Sequence, residues 1–285
     1  MKILVLGGAG YIGSHTVYEL IDAGEEVVII DNLETGHIEA VHPKAKFYKG
    51  DLRDKDFVDS VLDQEKDIDA VIHFAANSLV GESMVKPYEY YHNNVYGMMC
   101  LLDVMKENNV DKIVFSSTAA TYGEPKNIPI MEDDETNPTN TYGETKLAME
   151  KMMKWFDNAY GIKYVSLRYF NAAGAYFDGS IGEDHKTETH LIPLILQVPL
   201  GKRSHISIFG NDYDTKDGTC IRDYIHVMDL ASAHYKALEY LRKGNESNIF
   251  NLGNGNGYSV KEVIDVARKV TNFDICAVEE QRRSG

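Results

Sequence analysis

Residues 7–13 read Gly-Gly-Ala-Gly-Tyr-Ile-Gly and stand between the apolar run Lys2–Leu6 and a helical pattern over Gly10–Ala23. Gly7 and Gly10 permit a tight turn and a close backbone approach to a pyrophosphate, and Gly13 lets the helix pack against the strand. Because the free N–H groups of the first helical turn face the anion, the stretch predicts dinucleotide binding rather than an ordinary glycine-rich turn. The loop residues expected at the dinucleotide are Gly7, Gly10, Tyr11, Ile12 and Gly13.

Short apolar runs alternate with helical patterns through the first two-thirds of the chain. The runs are continuous, as parallel strands covered on both faces require. We therefore predict an α/β fold with a doubly wound parallel sheet. The predicted strands are Lys2–Leu6, Glu26–Asp31, Lys46–Lys49, Ala70–Phe74, Lys112–Ser116 and Lys163–Arg168, and the predicted helices are Gly10–Ala23, Lys55–Gln64, Pro87–Asn108 and Tyr142–Tyr160.

The character of the sequence changes after Asn171, where Gly, Asp and His become frequent and periodicity weakens. Helical patterns return only over Val227–Arg242 and Ser259–Thr271. We predict a dinucleotide-binding domain over residues 1–172 and a smaller substrate-binding domain over residues 173–285, part of which returns to pack on the first.

Composition excludes several classes of function. The 285 residues carry a formal net charge of −15, which disfavours nucleic acid and anionic membranes as partners. Cys100, Cys220 and Cys276 are far apart and form no CxxC pair, so we expect a reducing compartment and no metal site. The chain shows no secretion signal and no membrane-spanning window, which predicts a cytoplasmic location.

Asp31 ends the second predicted strand. A carboxylate there accepts hydrogen bonds from adenosine ribose hydroxyls and repels a 2′-phosphate, which favours NAD over NADP. The alternative is an aspartate that only caps the following turn. Asp51 follows the third predicted strand and is a weaker candidate for the adenine amino group, because Asp after Gly is common in turns.

Tyr142 and Lys146 stand one helical turn apart on one helix face. A tyrosine titrates near 10, and lowering its pKa by about three units needs about 4 kcal/mol. A neighbouring ammonium together with a positive nicotinamide ring can supply that energy. Tyr-x-x-x-Lys alone is weak, since an exposed helix pair also produces it. Thr118, at the end of the preceding strand, would offer a hydroxyl to the sugar oxygen that Tyr142 deprotonates.

The combination resembles the extended short-chain dehydrogenase/reductases, which have a Rossmann fold. Further segments, most of them in the second half of the chain, are similar to the UDP-glucose 4-epimerases (UDP-galactose 4-epimerases) of that family. The first resemblance rests on the glycine loop, Asp31, residues 73–76, 116–118 and the pair Tyr142 and Lys146. The second rests on residues 80–83, 90–94, 168–171, 182–184, 208–213 and 222–227.

The resemblance implies an isomerase of galactose metabolism, active as a homodimer. It would interconvert UDP-galactose and UDP-glucose at C4 through a transient 4-keto sugar, using bound NAD. The residues that would bind NAD are Asp31, Asn32, Asp51, Leu52, Phe74, Ala75, Ala76, Asn93, Ser116, Tyr142, Lys146 and Tyr169. Thr118 and Tyr142 would flank the C4 hydroxyl, and UDP would be held by Asn171, His190, Leu191, Ile208, Phe209, Arg222 and Arg283.

Several of these residues also have ordinary structural interpretations. The two arginines suit a diphosphate as forked donors, but an isolated arginine is more commonly a solvated surface charge. Asn171 can be a turn cap, and Phe209 can be simple core packing.

The chain departs from the family pattern at a few positions. Thr118 replaces a serine of many members, Ser78 a lysine near the cofactor pyrophosphate, and His190 an asparagine at UDP. Further pocket residues follow Gly285 in the family, so we expect this chain to be truncated at its C-terminus.

Three alternatives stay open. A UDP-N-acetylhexosamine 4-epimerase would use the same chemistry on an N-acetylated sugar. A 4,6-dehydratase would carry an aspartate–glutamate pair after the threonine, where this chain has Ala119 and Ala120. A non-catalytic NAD-sensing regulator would typically have lost the pair of Tyr142 and Lys146.

Overall fold

Seven parallel strands form the central sheet. The structure is a computed structural model and describes residues 1–282. The strands of this sheet are β1 Lys2–Leu6, β2 Glu26–Asp31, β3 Lys46–Lys49, β4 Ile68–His73, β5 Lys112–Thr118, β6 Lys163–Tyr169 and β11 Asn248–Leu252. Their order across the sheet is β11-β6-β5-β4-β1-β2-β3. The predicted fold class is confirmed, and the first three strands have the predicted bounds. The other predicted strands end one or two residues away from the prediction.

Helices cover both faces of the sheet. They are α1 Tyr11–Asp22, α2 Lys55–Gln64, α3 Val80–Ser83, α4 Pro87–Tyr90, α5 Gly97–Glu107, α6 Thr141–Tyr160, α7 Leu191–Leu196, α8 Val227–Arg242 and α9 Val260–Thr271. Side chains of α2, α5 and α6 pack on one face, for example Leu101 and Met149. Side chains of α1 and α8 pack on the other, for example Val17 and Leu238. Burial on both faces explains why the strands read as continuous apolar runs.

The predicted helix Pro87–Asn108 is wrong in one respect. The chain forms a π-helical turn over Tyr91–Tyr96, between α4 and α5. The wider turn adds a residue that hydrophobic periodicity does not reveal. Asn94, inside this turn, is fully buried, and its Nδ2 donates to Thr145 Oγ1 at 3.0 Å. The turn therefore attaches this helix to α6, which carries Tyr142 and Lys146.

The C-terminal part of the chain contributes both to the large sheet and to a separate small core. Strand β11 pairs with β6 in the large sheet. Three short pairs join β7 Asn171–Ala173 to β10 Tyr224–His226, β9 Ile221–Arg222 to β12 Tyr258–Ser259, and β8 Ile206–Phe209 to β13 Ala277–Glu280. A separate small core includes Ile195, Ile208 and Ile264. The domain boundary between residues 172 and 173 stays a prediction. Over residues 1–282, every helix is too short or too polar to cross a bilayer.

Candidate active site

The glycine-rich loop forms the turn after β1, and its packing leaves no room for a side chain at Gly7 or Gly13. Gly7 has φ +78, and a Cβ there would lie 2.8 Å from the backbone nitrogen of Ala75. A Cβ on Gly13 would lie 2.1 Å from the carbonyl oxygen of Gly7. Helix α1 begins at Tyr11, so the unpaired N–H groups of its first turn, including that of Ile12, open beside the loop. This cradle fits a pyrophosphate.

Asp31 holds the loop in place. Its Oδ2 accepts a hydrogen bond from the Ala9 N–H at 3.0 Å, and its Oδ1 accepts one from the Leu33 N–H at 2.8 Å. The second bond is the turn cap that the alternative interpretation of Asp31 described. Burial raises the pKa of Asp31. Because a carboxylate has about four acceptor positions, the two bonds leave positions for ribose hydroxyls.

Asp51 lies beside Asn32 at the same edge of the sheet. Asn32 Nδ2 donates to Asp51 Oδ2 at 3.2 Å, and Arg53 Nη2 donates to the same oxygen at 2.6 Å. The Arg53 guanidinium holds the pKa of Asp51 well below its usual range. The neighbouring Leu52 is buried against the core. The predicted contact of Asp51 with adenine would therefore be made by a carboxylate that already has a cationic partner.

Tyr142 and Thr118 meet where β5 ends and α6 begins. Thr118 Oγ1 accepts a hydrogen bond from the Ala120 N–H at 3.1 Å, so its own O–H is directed to another acceptor. A hydrogen bond between Thr118 and Tyr142 lowers the pKa of the phenol, but burial has the larger effect and raises it to about 12.

Lys146 lies next to this pair and is almost fully buried. Its Nζ donates to the carbonyl oxygen of Ser116 at 2.7 Å and lies 5.9 Å from the ring centroid of Tyr142. Burial lowers the pKa of Lys146 to about 7, and the charge of Glu150 acts in the opposite direction.

The expectation that Lys146 and a nicotinamide ring together lower the pKa of Tyr142 stays a prediction. In the protein alone, burial penalises the phenolate more than the Thr118 hydrogen bond stabilises it, so the pKa is raised. A phenolate at neutral pH needs additional positive charge beside the ring, which an oxidised nicotinamide carries.

The remaining predicted cofactor residues lie around the ends of β4, β5 and β6. Ser116 Oγ and the Tyr169 hydroxyl are 2.5 Å apart. The ring centroids of Phe74 and His234 are 4.6 Å apart. Asn93 Nδ2 donates to Asn94 Oδ1 at 3.0 Å. Ala75 and Ala76 follow β4 and are half-buried.

The predicted UDP residues lie in several separate segments. Asn171 Nδ2 donates to the carbonyl oxygen of Asp223 at 2.9 Å, which ties β7 to the start of β10. Arg222 is exposed, and its Nη1 donates to the carbonyl oxygen of Ile221 at 2.9 Å. His190 Nδ1 lies 2.8 Å from Glu183 Oε1. Leu191 packs on the small core, Ile208 is buried in it and Phe209 is half-buried, whereas Arg283 lies outside the described residues.

Sequence reasoning missed a buried polar network under the site. Glu150 stands one helical turn after Lys146, and its carboxylate accepts bonds from Arg168 Nε at 3.0 Å and Arg168 Nη2 at 2.6 Å. Ser117 Oγ donates to the same carboxylate at 2.5 Å. The i,i+4 spacing of Lys146 and Glu150 was the available signal. Ser83 was also missed: its Oγ accepts a bond from the Tyr142 N–H at 3.1 Å.

Comparisons with known proteins agree with this architecture. Residues 3–253 match the NAD dependent epimerase/dehydratase family. The chain is 62% identical to the UDP-glucose 4-epimerase of Halalkalibacterium halodurans, over 100% of this chain and 85% of that protein. A crystal structure of a UDP-glucose 4-epimerase superposes with a TM-score of 0.97 at 60% identity, covering 100% of this chain and 86% of that one.

A second solved structure carries ligands. The UDP-glucose 4-epimerase of Bifidobacterium longum, in complex with NAD+ and UDP, superposes with a TM-score of 0.94 at 42% identity, covering 100% of this chain and 88% of that one. The match to the Halalkalibacterium halodurans protein and both superpositions cover the whole of this chain. The chain therefore belongs to the NAD dependent epimerase/dehydratase family and, within it, to the UDP-glucose 4-epimerases.

Proposed function

We propose that the chain interconverts UDP-glucose and UDP-galactose at C4 through a transient 4-keto sugar, with NAD as a bound cofactor. The observation that carries this function is the meeting of Tyr142, Thr118 and Lys146 at the carboxyl end of β5, next to the glycine-rich loop. In doubly wound sheets this edge is where dinucleotides bind. The side chains there offer a base, a hydroxyl and a cation to one sugar hydroxyl.

The cradle at the start of α1 fits NAD. The backbone segments of the cradle pack so closely that a Cβ atom at Gly7 or Gly13 would clash with neighbouring backbone atoms. The N–H groups of the cradle suit a pyrophosphate. Asp31 keeps acceptor positions for ribose hydroxyls and its charge disfavours a 2′-phosphate. When bound, NAD accepts the C4 hydride and returns it to the opposite face of the sugar.

Tyr142 handles the proton. Its phenolate takes the proton of the C4 hydroxyl during oxidation and returns a proton when the keto group is reduced. Thr118 stabilises the same oxygen by donating its hydroxyl hydrogen. Lys146, anchored on the Ser116 carbonyl, supplies positive charge near the phenolate, and its burial strengthens that interaction because little water screens it.

UDP fixes one end of the substrate while the sugar turns. In the proposal Arg222 and Arg283 bind the diphosphate, and Asn171, Leu191 and Phe209 line the uridine and sugar side. His190 and the backbone at Ile208 complete this set. The diphosphate contacts are separate from the Tyr142 hydroxyl, so binding and chemistry can be tested independently.

A homodimer is part of the proposal. The helical segment 87–107 exposes a row of aromatic and apolar side chains: Tyr88 is 73% exposed, Tyr96 is 40% exposed and Met99 is 48% exposed. The rings of Tyr88, His92 and Tyr96 stack with interplanar angles of 7°. Light scattering after size exclusion should give twice the mass of one chain. The Met99→Glu variant should give the mass of a single chain.

A cytoplasmic location also stays a prediction.

The decisive experiment follows the C4 hydrogen. UDP-galactose carrying deuterium at C4 is supplied to purified protein without added reductant or cofactor, and the products are analysed by NMR and mass spectrometry. We expect UDP-glucose that retains the deuterium at C4, because the hydride stays in the closed site. UDP-N-acetylglucosamine in a parallel reaction tests whether N-acetylated sugars are also accepted.

Other results would identify the rivals. A stable 4-keto-6-deoxy sugar, with the label moved to C6, would mean a dehydratase. Bound NAD without any turnover would indicate a sensing protein. Deuterium lost to water would contradict the proposed hydride route.

A further inference from the structure

Four potential metal ligands converge between the end of β7 and the start of α7. They are Glu183, His185, Glu188 and His190, and one ligand atom of each lies within 4.8 Å of all the others. His185 Nδ1 is 3.5 Å from Glu183 Oε1 and 3.2 Å from Glu188 Oε2. His190 Nδ1 is 2.8 Å from Glu183 Oε1. The donor atoms of the four side chains thus lie close together.

The charge of this cluster needs compensation. The side chains of Glu183 and Glu188 are only 7% and 8% exposed. In the described part of the chain, residues 1–282, neither carboxylate forms an ion pair with a lysine or an arginine, and their ion-pair partners are His185 and His190. Buried carboxylates are ordinarily paired with a cation or coordinate a metal.

We propose that these four side chains bind one Zn²⁺ ion. Zn²⁺ prefers tetrahedral sites of histidine nitrogen and carboxylate oxygen, with bonds of about 2.0–2.2 Å, so neighbouring ligand atoms stand about 3.4 Å apart. The pairs at 3.2 and 3.5 Å already have that spacing. The shorter pair, at 2.8 Å, needs to open by only about 0.6 Å to reach it.

Glu188 is oriented for this role by the backbone. Its Oε1 accepts hydrogen bonds from the N–H groups of Thr189 and His190, each at 2.7 Å. Its Oε2 faces His185 Nδ1 at 3.2 Å, and its Oε1 also lies 3.0 Å from His190 Nδ1, so both oxygens border the proposed site. Such bonds to a ligating carboxylate fix its direction and raise metal affinity. The cysteines alone led us to expect no metal site, because that argument did not consider histidine with glutamate.

The cluster lies in a segment that contacts the cofactor side of the site. His37 Nε2 lies 3.0 Å from the carbonyl oxygen of Asp184, and the ring of His185 lies 6.5 Å from that of Tyr11 in the glycine-rich loop. The same segment leads through His190 into α7. Zn²⁺ would therefore fix the conformation of the segment 183–190, which lies beside the cofactor loop. This role is structural, and although His190 is also a proposed UDP residue, the test measures metal binding and does not depend on the proposed reaction.

The test measures metal binding directly. Full-length chain is equilibrated with Zn²⁺, passed through metal-free gel filtration and analysed by mass spectrometry for zinc. We expect one Zn²⁺ per chain and a rise in Tm of about 4–8 °C over chelator-treated protein.

Glu183→Gln and Glu188→Gln should each weaken Zn²⁺ binding at least ~100-fold. Asp184→Asn is the matched control, because its carboxylate is 82% exposed in the same segment, and should bind Zn²⁺ normally.

Co²⁺ provides a check that needs no variant. Bound in place of Zn²⁺ in the unmodified chain, it should give the intense visible absorption of a tetrahedral site without thiolate charge-transfer bands. Circular dichroism and NAD content show whether the variants are folded. If the variants do not fold, the Co²⁺ spectrum of the unmodified chain decides whether the site binds a metal ion. Less than one Zn²⁺ per chain, Zn²⁺ retained by the Glu183→Gln/Glu188→Gln double variant, or a thiolate spectrum would overturn the proposal.

Discussion

Lys146 Nζ lies 5.9 Å from the centre of the Tyr142 ring, one helical turn below it in α6. It is held there by its hydrogen bond to the Ser116 carbonyl at 2.7 Å, so its position depends on β5 as well as on the helix. The ammonium is thus near enough to influence the phenol electrostatically, yet too far to hydrogen-bond through the ring face. In the proposed mechanism, Lys146 would therefore act on the proton chemistry as a charge, and Thr118 would act as the hydroxyl in contact.

Tyr142→Phe should abolish turnover while UDP-sugar binding persists. The substitution keeps the ring and its packing but removes the only proposed base, so we expect kcat to fall by at least ~10²–10⁴-fold. The dissociation constant of UDP-glucose, measured by calorimetry, should change little, because the diphosphate contacts lie elsewhere.

Thr118→Ala is the matched comparison and should cost only about tenfold in kcat. It removes one hydrogen bond, worth about 0.5–1.5 kcal/mol, and a water molecule can replace part of it. Near-normal turnover by Tyr142→Phe, or a greater loss in Thr118→Ala than in Tyr142→Phe, would contradict the assigned roles.

Asp31 should determine the choice between NAD and NADP. Asp31→Asn removes the negative charge and keeps an oxygen that can accept the Leu33 N–H, so we expect NAD binding to weaken about 10–100-fold. NADP binding should improve relative to NAD, because the repulsion of its 2′-phosphate is gone. Fluorescence titration of cofactor-free protein measures both constants. A preference of the unmodified chain for NADP would refute the assignment.

The Asp31→Ala variant distinguishes the loss of the negative charge from loosening of the glycine-rich loop. It also removes the acceptors of the Ala9 and Leu33 N–H groups, and should therefore weaken both cofactors beyond the Asp31→Asn variant. Equal losses in the two variants would show that the loop contacts contribute nothing to cofactor affinity.

The sheet could be predicted from the sequence, whereas several features of the candidate site could not. Continuous apolar strands and the loop at residues 7–13 led to the fold because both depend on local sequence and on burial. The π-helical turn around Asn94 was missed, since it is a single short turn and hydrophobic periodicity is read over longer windows. The network of Ser117, Glu150 and Arg168 was missed because its members are distant in sequence and meet only when β5, α6 and β6 assemble. The raised pKa of Tyr142 reflects burial, which a helical motif does not report.

Glu150→Gln should destabilise the fold. It leaves the Arg168 guanidinium, which is 4% exposed, without its carboxylate, and breaking a buried pair typically costs about 3–5 kcal/mol. Urea unfolding followed by circular dichroism should show this loss. The double variant Glu150→Leu/Arg168→Met should recover much of it, because no unpaired charge is then buried. A single variant as stable as the unmodified chain would mean that water reaches Arg168.

Lys146→Met should move the activity profile to higher pH. Turnover needs the phenolate of Tyr142, so activity rises with pH through the pKa of that phenol. When protonated, Lys146 stabilises the phenolate, and its loss raises the Tyr142 pKa. The acidic limb of the kcat profile should therefore shift upward by about one pH unit, equivalent to about 1.4 kcal/mol.

Lys151→Met, on an exposed position of α6, is the control and should leave the profile unchanged. Profiles are measured with saturating NAD, so that weaker cofactor binding does not imitate the shift. An unchanged limb in Lys146→Met, or a shift to lower pH, would show that Lys146 serves cofactor binding and not the proton chemistry.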